Sequence, residues 1–359
     1  MRLPRLKLEK VVALKGWGAA KVSIYSIITA FIIFSAFLLW EGANPIEAYR
    51  HIFSFAFDPR LGLVSTLHRS MFLLFATLAF ILPLKAGLWN IGMEGQFYLG
   101  TVGAFAVAYA WGDLPSGALI PLMLIAAALF GAGYGVIAGF LRGKLGVNEI
   151  VVTLMLNLTA FWLIQFLIVG GPWAGIGECR SRPLPDSAVA PEIGGLPFTV
   201  FLAIAISVIF FILFTRSKVG YQIRSFGSNP SAARHVGMSP FKISVLVMAV
   251  AGAIAGLSAY HMWAGDPRFY MIPQPEAYKS IGDLTYWGIM VGLLCLLNPL
   301  AAIPVSIFVG ALKVGGPVLI RRMKLPFGLD LLFLGILFLS FVAFQFFYRY
   351  RIKRVKEKR

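Results

Sequence analysis

Residues 197–214 read PFTVFLAIAISVIFFILF, and residues 215–242 read TRSKVGYQIRSFGSNPSAARHVGMSPFK. The first stretch is 18 residues long and uncharged; the second holds five Lys/Arg and no acid. A helix rises about 1.5 Å per residue, so such a run crosses most of a roughly 30 Å hydrocarbon core. Lys and Arg resist translocation, so a basic segment abutting the run marks the cytoplasmic side. The pair reads as a membrane span followed by a cytoplasmic segment.

The same alternation continues in both directions. Further spans are predicted at 22–40, 70–89, 92–111, 117–139, 149–169, 243–263, 283–298, 299–316 and 328–348, giving about ten in all. The fold class expected is an all-α polytopic transmembrane bundle. Composition agrees: the 359 residues are 59% hydrophobic and only 13% charged, against about 25% charged in a soluble domain. Val22–Trp40 is long enough to span and lacks a small-residue cleavage site, so it reads as a retained first helix. The organisation expected is a basic cytoplasmic tail at 1–21, a transmembrane domain at 22–348 and a second basic cytoplasmic tail at 349–359.

The net charge is +17, and the segments 1–21, 215–242 and 349–359 carry +16 of it. Basic runs that flank apolar spans point to a lipid bilayer as partner, not to nucleic acid. With the N-terminus inside, parity places 215–242 and the C-terminus inside, and 41–69, 170–196 and 264–282 outside. The loop 317–327, with Arg321, Arg322 and Lys324, disagrees: parity puts it outside. Gly139–Asn157 and Gly310–Leu337 share an alternation of Gly, basic and apolar residues. This is either the trace of an inverted five-plus-five repeat or a coincidence of composition. Cys179 and Cys295 fit neither a disulfide framework nor a metal site.

Three constellations hold the chemistry. Lys85–Gln96 (KAGLWNIGMEGQ) interrupts an apolar run with Gly87, Gly92, Gly95, Asn90, Glu94 and Gln96. It is either a broken helix beside a solute path or a tight turn whose polar groups satisfy one another. Trp89 and Phe97 in the same stretch offer aromatic faces for stacking, or for packing. Gly146–Asn157 (GVNEIVVTLMLN) begins with a cap, Asn148, and an acid in the first turn, Glu149. Asn157 lies two turns deeper, where it bonds a neighbouring helix or lines the path. In Gly220–Pro240, Asn229-Pro230 is an N-cap with Pro at the first helical position, and Gly237 is placed to end the short helix 231–236. A capped short helix on the cytoplasmic face suits docking into a soluble partner.

The segments GLWNIGMEGQFYLG, GVNEIVVTLMLN and GYQIRSFGSNPSAARHVGMSPFKISVLVMAVAGAIAGLSA resemble permease subunits of ABC importers for nucleosides and simple sugars. The resemblance spans roughly 70–346 and is nearest to the longer of two nucleoside permeases. It implies a coupling helix at 220–240 that seats in the ATPase subunit, with Arg224, Ser228, Asn229, Ala232, Ala233, Arg234 and Gly237 in that role. It also implies a translocation path drawing on Asn90, Glu94, Gln96, Asn157, Trp89 and Phe97. The partners implied are a cassette ATPase that uses the ATP, a second permease and an extracytoplasmic solute-binding protein. The location implied is the cytoplasmic (inner) membrane. Ser280–Gly292 departs from the family, being bulkier at Tyr286 and Trp287.

No catalytic residue, metal ligand set or bound cofactor is expected. The chain has no GxxxxGK[ST] loop, no HExxH among its four histidines and no GxSxG elbow. An ion-coupled secondary transporter is the alternative, with Glu94, Glu149 and Asp330 as the acids it would need.

Overall fold

The structure is a computed structural model that describes residues 6–10, 17–175, 180–265, 270–272 and 284–354. Cys179, the first four residues of Ser280–Gly292, most of the 264–282 loop, the outer ends of both tails and the side chain of Asp330 lie outside them. The helices run α1 Trp17–Trp40, α2 Pro45–Ala56, α3 Gly62–Lys85, α4 Met93–Ala110, α5 Ser116–Leu145, α6 Glu149–Ile168, α7 Phe198–Arg216, α8 Lys218–Ser228, α9 Pro230–His235, α10 Pro240–Ala264, α11 Leu284–Leu294, α12 Pro299–Met323 and α13 Leu329–Arg349. Among the described residues, α1, α3, α5, α6, α7, α10 and α12 supply seven helices long and apolar enough to cross a membrane. The remaining expected spans fall on α4, α11 and α13; the last two hold shorter apolar stretches, Thr285–Leu294 and Leu331–Phe344.

Two short antiparallel pairs depart from the all-α expectation. Strand β1 (Leu6–Lys10) pairs with β4 (Tyr350–Arg354), joining the two basic tails. Their sequences, LKLEK and YRIKR, alternate apolar and charged residues with the period of two that a strand requires. Strands β2 (Glu192–Ile193) and β3 (Leu196–Pro197) form a small hairpin turned by Gly194 and Gly195, both at positive φ.

The chain divides into two compact units. The first comprises Met1–Leu63 and Ala311–Arg359. Here α1 packs along α13, with Phe34 stacked on Phe333 at 4.4 Å and Phe31 edge-on to it at 5.0 Å. The segment 41–69, expected as a loop, is mostly helix. Asn44 caps α2 by accepting from the Ile46 N–H, Pro45 fills the first position, and Ala48, Ile52 and Ala56 bury one face. The Arg322 guanidinium lies 3.4 Å from the His51 ring on that helix.

The second unit is Val64–Gly310. Its centre is the packing of α5 on α10, with α4 against both. Gly131, Gly135, Gly139 and Gly143 recur every fourth residue on α5, and each faces α10. A Cβ on Gly131 would fall on the Gly252 carbonyl, and one on Gly139 would lie 2.8 Å from the Ser244 oxygen. Only glycine allows backbones this close, which maximises dispersion contact where lipid supplies no hydrophobic drive. Away from that seam α5 exposes Ile125, Leu129, Phe130 and Ile137. A helix apolar on both faces has lipid on one and protein on the other. With seven helices of sufficient length and apolarity among the described residues, the chain is a multi-pass membrane protein.

Candidate functional site

The break between α3 and α4 forms the site's centre. Pro83 sits two residues before the end of α3, and Gly87 at φ +76° turns the chain back on itself. The Leu88 N–H then donates to the Pro83 carbonyl at 3.0 Å. The Asn90 amide reaches the Ala79 carbonyl at 3.2 Å. Ala79 lies six residues before Lys85, so the chain has climbed about 9 Å back along α3 before α4 starts. Helix α4 therefore begins inside the bundle, with first-turn N–H groups that need buried partners.

Side chains from the turn before α4, from α4 itself and from α6 surround that start. Asn90 and Gln96 form a reciprocal amide pair: Asn90 Nδ2 donates to Gln96 Oε1 at 2.9 Å, and Gln96 Nε2 donates to Asn90 Oδ1 at 3.1 Å. Both are buried. Asn157, on α6, accepts from the Gly95 N–H at 2.7 Å and donates to the Ile91 carbonyl at 2.8 Å. It thus caps α4 from a different helix. Gly95 keeps room for it, since a Cβ there would lie 2.9 Å from Asn157 Oδ1. Thr153, one turn earlier on α6, fills the space beside Gly92.

Glu149 joins the same network. Asn148 caps α6 as expected, accepting from the Ile150 N–H at 2.9 Å. Glu149 does more than complement the helix end. One oxygen accepts from the Trp89 N–H at 3.2 Å, and the other pairs with Arg142 of α5 at 3.2 Å. Glu94 takes part differently. It accepts from the Thr285 N–H of α11 at 3.4 Å, and the Thr285 hydroxyl donates to the Ile91 carbonyl at 3.2 Å. An N–H given to a side chain is what a first-turn residue of a helix has free. Glu94 thus links the starts of α4 and α11. Gly288 and Gly292 of α11 lie against Ala76 and Phe80 of α3. On α11, Tyr286 is exposed while Trp287 is buried.

The two aromatic candidates separate. Trp89 is 37% exposed, with its ring 5.7 Å from Phe80. Phe97 is fully buried, edge-on to Phe72 at 5.5 Å and tilted against Trp263 at 6.0 Å.

The caps of the third constellation, Gly220–Pro240, form as its sequence suggests, with one addition. The residues before Asn229 form a helix of their own, α8, which Ser217 caps by accepting from the Gly220 N–H at 2.9 Å. Asn229 caps α9 through Oδ1 on the Ala232 N–H at 3.0 Å, and Ser239 caps α10. Gly237 takes φ +83°, its N–H donating to the Arg234 carbonyl at 3.0 Å. Helix α9 spans 230–235, one residue earlier than expected. Ser228, Asn229, Ala232, Arg234 and Gly237 are exposed, Arg224 is partly so, and Ala233 is buried beneath them.

Sequence reading missed several contributors. Thr285 and Gly227 carry no local signal. The glycine stripe on α5 was legible in its four-residue spacing. His68 and His261 form an unexpected buried pair, stacked at 4.3 Å, in which each Nε2 donates to the other residue's carbonyl. His261 Nδ1 lies 2.6 Å from the Thr199 hydroxyl. Among the described residues no group of three or more His, Cys, Asp or Glu is placed to hold a metal.

Residues 62–342 match the family model described as branched-chain amino acid transport system / permease component. The glucose ABC transporter permease protein TsgB13 of Haloferax volcanii is 30% identical, with 97% of this chain and 93% of that protein covered. The nucleoside ABC transporter permease protein NupB of Lactococcus lactis is 30% identical over 82% of this chain and 83% of its own. The guanosine ABC transporter permease protein NupP of Bacillus subtilis is 26% identical over 94% and 97%. With its interrupted helix, its glycine-packed core and these relatives, the chain belongs to the family of transport-system permease components.

Proposed function

We propose that this chain is the membrane-spanning subunit of an ATP-binding cassette importer and forms half of the translocation path for a nucleoside or simple sugar. The observation that carries the reading is a helix interrupted inside the bundle in a chain whose relatives are named as glucose, nucleoside and guanosine permeases. Trp89 and Glu94 face the solute. Asn90, Gln96, Asn157 and Phe97 hold the break in shape, since their polar atoms or faces are already engaged within the bundle. In this arrangement the chain crosses the bilayer about ten times, α4 and α11 acting as the interrupted crossings of an inverted repeat.

The exposed α8–α9 segment docks into the ATPase, which hydrolyses the ATP. Arg224, Ser228, Asn229, Ala232, Ala233, Arg234 and Gly237 form that contact. A second permease completes the path, and an extracytoplasmic solute-binding protein delivers the solute. The protein lies in the cytoplasmic membrane with both basic tails inside.

Affinity purification from gently solubilised membranes tests this reading. A P-loop ATPase and a second multi-span subunit should co-purify, and uptake in vesicles should stop without ATP yet survive an uncoupler. Recovery of the chain alone, with uptake abolished by the uncoupler, would establish the ion-coupled alternative instead. Deleting 229–237 should leave insertion intact and remove solute-stimulated ATP hydrolysis.

A further inference from the structure

We infer that Gly227 and Gly87 are positioning residues through which movement of the α8–α9 segment reaches the buried break. Gly227 lies in the last turn of α8, two residues before the Asn229 cap of α9. A Cβ built on Gly227 would fall on the Lys85 carbonyl oxygen, 2.9 Å from the Ala86 carbonyl carbon and 3.0 Å from the Gly87 nitrogen. In the other direction, a Cβ on Gly87 would lie 3.5 Å from the Cα and oxygen of Gly227. Every atom in this contact is backbone. Side chains yield by rotating; backbone held in two helices and a turn does not, so the contact is stiff in compression.

Both sides are anchored. Ile223 and Phe226 bury the inner face of α8, and the Lys85 ammonium lies 5.3 Å from the centre of the Phe214 ring, just before α8. Beyond Gly87 the bonds run without interruption. Leu88 is held to Pro83, Trp89 to Glu149, Asn90 to Gln96, and Ile91 to both Asn157 and Thr285. A shift of α8 therefore displaces residues 85–87 and, through them, the polar residues at the start of α4.

The inference rests on the docking reading of α8–α9, and the experiment separates the two. The complete transporter, this chain with its co-purified subunits, is reconstituted in proteoliposomes as wild type and as Gly227→Ala. The variant should retain the ATPase subunit and hydrolyse ATP, while solute moved per ATP falls by about tenfold, a typical size for coupling between sites. Unchanged transport per ATP would overturn the inference. Loss of the ATPase from Gly227→Ala would make the contact part of the docking surface itself, also overturning it while leaving the docking reading intact. Absence of any ATPase from the wild type would end both. Hydrogen exchange on the wild-type complex needs no variant: amides 85–92 should change protection when ATP is added. Protection gained at 229–237 alone would defeat the transmission claim even if Gly227→Ala fails to fold.

Discussion

Asn157 and Asn229 both offer a side-chain oxygen to a first-turn N–H, at 2.7 Å to Gly95 and 3.0 Å to Ala232. Their surroundings differ completely. Asn229 is exposed and caps the helix that immediately follows it. Asn157 is buried and caps a helix 62 residues earlier in the chain. At Asn229 water can replace the lost partner. Asn157 is buried, where leaving the Gly95 N–H without an acceptor is costly, so the same chemistry carries more weight. The buried break spends its polar groups on itself and leaves Trp89 and Glu94 partly open. The cytoplasmic segment uses its caps to hold a short helix outward, with its polar groups available to a partner.

The sharpest way to break this comparison is Asn157→Ala. It strands the Gly95 N–H and leaves the Ile91 carbonyl to Thr285 alone, and should destabilise the bundle by about 3 kcal/mol. A thermal melt in detergent would measure it, and a shift no larger than that of Asn229→Ala would sink the distinction. Gly95→Ala comes next. Its Cβ would press on Asn157 Oδ1 at 2.9 Å and on the Tyr134 ring at 3.0 Å, for a cost of about 2 kcal/mol by the same assay. Loss of uptake with little ATPase change would accompany it if the break shapes the path.

Asn229→Ala should cost about 1 kcal/mol, confined to α9, with the global melting temperature unmoved. Its signature is instead weaker ATPase retention during purification. Glu149→Gln should have the smallest effect, under about 1 kcal/mol, because the Arg142 partner is 40% exposed and the amide can still accept from Trp89. Glu149→Ala, which also strands the Trp89 N–H, should exceed it; equal effects would show that the bond across to the break contributes nothing.

The readings that succeeded concern chemistry between near neighbours. Asn148, Asn229 and Gly237 were legible because a cap and its target lie within a few residues. Helix α8 is not legible in the sequence because Gly220 and Gly227 lower helix propensity, and its polar face resembles a loop. Helix α2 was hidden for a related reason: its charged residues outweigh the buried face of Ala48, Ile52 and Ala56 unless period is read before composition. The 85–96 stretch is visible as a break in an apolar run, but the sequence alone leaves both of its readings open.

The sequence by itself determined that this chain crosses a membrane many times, where its cationic segments fall, and which short stretches are interrupted or capped. Those properties follow from side-chain transfer energies and from hydrogen bonds a few residues long. Only the tertiary structure decided that Asn157 meets Gly95, that Glu94 meets Thr285, that His68 stacks on His261 and that Gly227 rests on Gly87. Each of those pairs joins segments distant in the chain. Spacing can mark a glycine-lined face, but which distant surface it meets is a property of the packed bundle that no local pattern encodes.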